Sequence, residues 1–153
     1  MADKKTIVVY FSRTGTTEKT AKEIARLAGA DICRIKTVKK YPKSYLLCVA
    51  AARLEKSRGE LPPLAGELPD LSGYQRVVAG FPVWWFSCPA ALLSFFSNYD
   101  LAGKEILPFC RHGGGGPGKS RDVLEKACRG AEVRAVFDAN KADEEELRRW
   151  LAQ

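Results

Sequence analysis

The chain has 153 residues, enough for one domain with a sizeable core over 1–153 and too few for several. It carries 25 lysines and arginines against 18 acids, a net charge of +7, and 46% apolar residues. The basic residues are scattered, with nothing denser than Lys36, Lys39, Lys40 and Lys43, which argues against a nucleic-acid partner. No apolar run approaches the ~20 residues that span a bilayer, so no membrane partner is expected. No secretory signal pattern precedes the first strand, and the expected compartment is the cytoplasm. Five cysteines without a C-x-x-C pair, and a single histidine, argue against a metal centre.

The first expected strand is 6–11, Thr-Ile-Val-Val-Tyr-Phe, a continuous apolar run suited to burial on both faces. Directly after it comes Ser12-Arg13-Thr14-Gly15-Thr16-Thr17, and then a helix over about 16–28. One hydroxyl is enough to cap a helix; this turn supplies four. The free amides and dipole of a helix N-terminus favour an anion, and hydroxyls add neutral donors. The turn therefore reads as a phosphate site, and it lacks the dinucleotide pattern G-x-G-x-x-G.

A second strand is expected over 31–36 and a second helix over about 43–58, after Tyr41-Pro42 and with Tyr45 in its apolar set. Residues 59–74 are a Pro/Gly-rich connection. The third strand, about 75–81, runs into Phe81-Pro82-Val83-Trp84-Trp85-Phe86-Ser87. Three consecutive aromatics at a strand end cannot all face one core, so Trp84 or Trp85 is expected against a ligand ring. The third helix begins near Cys88-Pro89, with proline at the favoured first turn. The fourth strand is 105–110, and the fourth helix runs from Ser120 to about Gly130. The fifth strand is 132–137, and the last helix is 143–152.

Between the fourth strand and helix lies Arg111-His112-Gly113-Gly114-Gly115-Gly116-Pro117-Gly118-Lys119-Ser120. Residues 113–120 match the P-loop pattern G-x-x-x-x-G-K-S, but after the fourth strand rather than the first. Asp138 is the one weak candidate for the magnesium carboxylate that such a site wants. The competing reading is that glycines let backbone amides approach a ligand closely. His112 either donates to that ligand or orients the loop by a hydrogen bond.

Alternating strands and helices imply a parallel sheet covered on both faces, with ligands at the carboxyl ends of the strands. The three unusual loops follow strands one, three and four. Together they resemble the flavodoxin-like family, and most closely its short bacterial members. The resemblance implies a three-layer α/β sandwich with a five-stranded parallel sheet in the order 2-1-3-4-5. It also implies FMN as a non-covalent cofactor. Its phosphate loop falls on Ser12, Arg13, Thr14, Gly15, Thr16 and Thr17. The second flavin loop falls on Pro82, Val83, Trp84, Trp85 and Phe86, and the third on Arg111, His112, Gly113, Gly114 and Gly115. No catalytic nucleophile or carboxylate pair is indicated. The implied function is an FMN-binding redox protein, working with a redox partner protein or a small quinone-like acceptor, as monomer or homodimer. The alternatives are a small NAD(P)H-linked quinone-type reductase and, behind it, a P-loop nucleotide-binding protein. Carrier flavodoxins are typically acidic, whereas this chain is basic.

Overall fold

The computed structural model describes residues 5–12, 15–38, 61–84 and 87–153. The helix expected over 43–58, with Tyr41, Pro42 and Tyr45, lies outside the described residues, as do Arg13, Thr14, Trp85 and Phe86.

Strand β1 is Thr6–Tyr10, followed by helix α1, Thr16–Ala28, and strand β2, Asp31–Arg34. Strand β3 is Arg76–Pro82 and leads into helix α2, Ala90–Phe96. Strand β4 is Glu105–Arg111 and leads into helix α3, Ser120–Ala127. Two short strands follow, β5 at Glu132–Val133 and β6 at Phe137–Asp138, and then helix α4, Glu144–Leu151. All pairings are parallel, in the order β2-β1-β3-β4-β5, with β6 also pairing β4.

The fifth expected strand forms, but broken in two. Glu105 and Ile106 pair with Glu132 and Val133, and Phe109 and Cys110 pair with Phe137 and Asp138. Two residues on β4 thus face three, 134–136, on the outer strand, which is a one-residue bulge. Pro108 lies at this point. The Ile106 carbonyl accepts the Arg134 amide and the Cys110 carbonyl accepts the Ala139 amide, so the even-numbered residues of β4 face the outer strand. Pro108 shares that side and brings no N–H to the ladder. Proline is tolerated inside a sheet where a bulge removes the need for its donor.

Residues on the central strands alternate between two cores, as the strand period of two requires. Ile7, Val9, Val77, Ala79, Phe81 and Ile106 pack with Leu92, Phe95 and Phe96 of α2 and Leu124 of α3. Val8, Tyr10, Val78, Leu107 and Phe109 pack with Ala21 and Ile24 of α1 and Leu147 and Trp150 of α4. The sheet is the middle layer of three. Helix α2 begins one residue later than expected: Pro89, in an extended conformation, is its N-cap. Among the described residues, no helix is long and apolar enough to cross a membrane.

One glycine ties the central strands together. A Cβ on Gly80 would lie 2.2 Å from the Phe109 ring, which covers the Gly80 backbone from the next strand. Phe109 is itself fully buried, edge-on to Trp150 at 6.1 Å between centroids. The carboxyl ends of β3 and β4, where two of the three loops begin, rest on this contact.

Candidate functional site

The parallel register brings the three loops to one end of the sheet. Tyr10 pairs with Gly80, Gly80 with Phe109, and Pro82 with Arg111. The Val83 amide donates to the Arg111 carbonyl at 2.9 Å, tying the second loop to the third. The Phe11 amide donates to the Gly80 carbonyl at 3.0 Å, tying the first to the second.

In the first loop, Ser12 is buried and its Oγ accepts the Gly15 amide at 3.0 Å. Gly15 is the N-cap of α1 and adopts φ +93°, a left-handed conformation that L side chains rarely take. Having no side chain, it cannot cap the helix itself. The Lys19 amide reaches the Gly15 carbonyl, but those of Thr17 and Glu18 have no hydrogen-bond partner among the described residues. Thr17 is buried and Thr16 is exposed. These two amides and a positive helix end therefore meet where a chain of neutral hydroxyls was expected to hold an anion.

Two residues that sequence reasoning passed over complete this corner. Arg34, at the end of β2, donates through Nη2 to the Ser12 carbonyl at 3.2 Å and lies 3.4 Å from Glu18. The register that pairs Tyr10 with Arg34 places it there. Glu18 sits in the first turn of α1, where an acid would repel a bound anion. The Lys22 ammonium, helped by the Tyr10 hydroxyl and Arg34, holds its carboxyl below the usual glutamate range.

In the second loop, Pro82 and Val83 are half-buried and Trp84 is 9% exposed. Trp84 stands edge-on to Phe11, with centroids 5.5 Å apart and planes at 89°, inside the core shared with α2. The Trp84 amide donates to the Ser87 carbonyl at 2.9 Å, and the Ser87 amide returns to the Trp84 carbonyl at 3.2 Å.

The third loop is organised around His112. Its ring Nδ1 accepts the amides of Gly114 at 3.0 Å and Gly116 at 3.2 Å. Its Nε2 lies 2.7 Å from Asp138 Oδ2. An Nδ1 that accepts assigns the ring proton to Nε2, facing the carboxylate. Asn140 holds the backbone of the same residue: its Oδ1 accepts the His112 amide at 2.9 Å, and its Nδ2 donates to the His112 carbonyl at 2.7 Å. The Asn140 amide in turn donates to Asp138 Oδ1 at 3.0 Å. Burial opposes the charge on Asp138, but the Asn140 amide and His112 outweigh it and leave the carboxyl below the usual aspartate range. Gly113 and Gly115 are exposed, and their amides have no hydrogen-bond partner among the described residues. The Arg111 guanidinium points away from the loop tip and donates to the Ala139 carbonyl at 3.1 Å.

His112 thus takes the loop-orienting role, with both ring nitrogens engaged. Asp138 and Asn140 were not expected in this role, although their place at the end of the strand beside β4 follows from the topology.

The same bonds close the P-loop pattern at 113–120. The Ser120 hydroxyl is buried and donates to the Pro117 carbonyl at 2.7 Å instead of facing a metal. Asp138 is bound to His112 and Asn140, and two glycine amides are turned onto the imidazole. Lys119 is exposed, and Arg121 pairs with Glu125 at 3.2 Å.

Comparison with known proteins agrees with this architecture. The flavodoxin family model matches residues 5–153. A candidate flavoprotein from Bacteroides uniformis superimposes with a TM-score of 0.88 at 28% identity, covering 99% of this chain and 100% of that one. A candidate flavoprotein from Bacteroides eggerthii gives 0.89 at 27% identity, covering 98% and 97%. A flavoprotein from Lactobacillus acidophilus, solved in complex with FMN, shares the fold at 0.77 and 22% identity, covering 97% and 99%. No curated protein matches the sequence. The chain belongs to the flavodoxin family.

Proposed function

We propose that this chain binds FMN non-covalently between its three loops and works as a redox protein. The observation that carries the reading is the N-terminus of α1 beside the Ser12–Gly15 turn, where the Thr17 and Glu18 amides have no hydrogen-bond partner among the described residues. Donors of this kind at a positive helix end suit a phosphate monoester. The open space around Gly15, where an added Cβ would meet nothing within 4 Å, leaves room for one. Arg13, Thr14 and Thr16 are the remaining candidates to surround it.

Trp84 is turned into the core, so Trp85 is the tryptophan we assign to the flat ring. Pro82 and Val83 supply backbone beside it. The free amides of Gly113 and Gly115 are the donors we assign to the polar edge of the ring. When bound, the flavin supplies the electron chemistry; the protein's part is to hold, orient and shield it. The net charge of +7 favours an acidic redox partner or an anionic acceptor over the basic partners of acidic carriers. The four free thiols among the described residues suit the reducing cytoplasm.

The test is the visible absorption spectrum of freshly purified protein, with mass identification of any chromophore released on denaturation. Flavin bands and released FMN are expected. A colourless chain that takes up no added FMN would overturn the reading. NAD(P)H consumption in the presence of a quinone then separates a reductase from a carrier. Trp85→Ala should weaken FMN binding by about 1–3 kcal/mol, the usual cost of losing an aromatic stacking platform; unchanged affinity would remove Trp85 from the site.

A further inference from the structure

We propose that the third loop is held by a proton-sensitive latch: neutral His112 fastens the Gly114 and Gly116 amides, and uptake of a second proton at Nδ1 releases them. Its effect on ligand binding rests on the flavin reading above; the latch itself does not.

The geometry leaves one protonation state compatible with the closed loop. Nδ1 is the acceptor of two amide hydrogens, at 3.0 and 3.2 Å. A proton on Nδ1 would turn the acceptor into a third donor aimed at the same two amides. Both bonds must then break. The charged group against the ring is Asp138 on β6, whose carboxylate also feels Arg111 on β4. The loop itself contributes only glycine amides.

Gly114 and Gly116 adopt φ +131° and +71°, and an added Cβ at either would meet nothing within 4 Å. The imidazole anchors the amides of both. Asp138 and Asn140 are positioning residues. Asp138 keeps the proton on Nε2, and Asn140 fixes the backbone of His112 at both its amide and its carbonyl. The alternation matters for a ligand: the amides of 112, 114 and 116 are tied down, which leaves those of 113 and 115 facing outward. Releasing 114 and 116 scrambles that presentation.

The experiment has two readouts. The first is nuclear magnetic resonance of the flavin-free protein, following the His112 ring nitrogens and the glycine amides between pH 5 and 8, the range in which histidines commonly titrate. In the neutral ring Nδ1 should be the unprotonated nitrogen. As the ring takes its second proton, the Gly114 and Gly116 signals should move together and lose exchange protection. A neutral ring protonated at Nδ1, or glycine amides that stay still through the His112 titration, would overturn the latch.

The second readout is FMN affinity over the same range, in wild type and in His112→Asn. The asparagine Oδ1 stands near the position of Nδ1 and accepts without titrating. Losing two hydrogen bonds should weaken wild-type binding at the acid end by at least about tenfold. His112→Asn should keep only the pH dependence of the phosphate itself. Equal profiles for the two proteins would overturn the link to binding. Absence of FMN binding at every pH would instead overturn the flavin reading, and the latch would be decided by the amide signals.

Discussion

Two loops of this protein hold equivalent places in the fold and differ in what they offer a ligand. Both follow a central parallel strand and both open a helix, but 12–17 has four hydroxyls and one glycine whereas 112–120 has five glycines and one hydroxyl. In the first loop Ser12 turns the chain, Gly15 takes the left-handed conformation, and the Thr17 and Glu18 amides have no partner among the described residues. At 112–120 the donors are largely engaged, two amides by the His112 ring and the Ser120 hydroxyl by Pro117. The phosphate-loop pattern thus falls on the loop whose donors are largely engaged. The difference lies in the acceptor side chain inside each loop: Ser12 engages one amide, that of Gly15, whereas His112 engages two.

The change expected to break both loops at once is Gly80→Val. Its Cβ would meet the Phe109 ring, which is fully buried and edge-on to Trp150. Overpacking of this kind should cost about 3 kcal/mol, read as a lowered midpoint in denaturant unfolding. A stability equal to wild type would show that the ring yields.

The open loop can be broken alone. Ser12→Ala removes the acceptor of the Gly15 amide and should cost about 1 kcal/mol, the usual loss for such a bond. Its signature is selective: FMN affinity falls while riboflavin affinity holds, because the turn meets only the phosphate. Equal losses for both would place Ser12 near the ring instead.

A smaller effect sharpens the closed side. Cys110 lies beside Asp138 in the sheet, and burial pushes its thiol up to about 12; Cys128, under α3, is raised likewise to about 12. Neither should form thiolate near neutrality, so alkylation of the native protein should spare both and proceed after unfolding. Rapid native labelling of Cys110 would mean that the outer strand opens beside the loop.

The smallest effect is electrostatic. The folded protein holds the Asp138 carboxyl below the usual aspartate range, so its contribution to stability is present above that range and is lost as pH falls through the lower, folded value. Asp138→Asn should flatten the acid limb of the stability curve slightly. An unchanged limb would mean that the carboxylate contributes nothing there.

The strands and most helix limits were legible because buried parallel strands read as continuous apolar runs and because turn residues bracket them. Thr6–Tyr10, Arg76–Pro82 and Glu105–Arg111 fall within a residue of expectation. The split of the last strand was not foreseen, although Pro108 in the neighbouring strand is its physical cause. In the site, the turn at Ser12 was visible because four hydroxyls exceed what capping needs. The inward turn of Trp84 was not, since adjacent tryptophans look alike until Phe11 decides which packs. Arg34 and Asn140 escaped notice, and Asp138 was weighed only as a magnesium carboxylate, because they act across strands: each lies at the carboxyl end of a strand neighbouring the loop it supports, a relation set by sheet order and not by local pattern.

The most direct test of the open turn is a calorimetric comparison of FMN and riboflavin binding to the flavin-free chain, since the two ligands differ only in the phosphate. Two charge-assisted hydrogen bonds from the Thr17 and Glu18 amides predict that FMN binds roughly a hundredfold more tightly. Equal affinities would contradict the assignment of the phosphate to the N-terminus of α1.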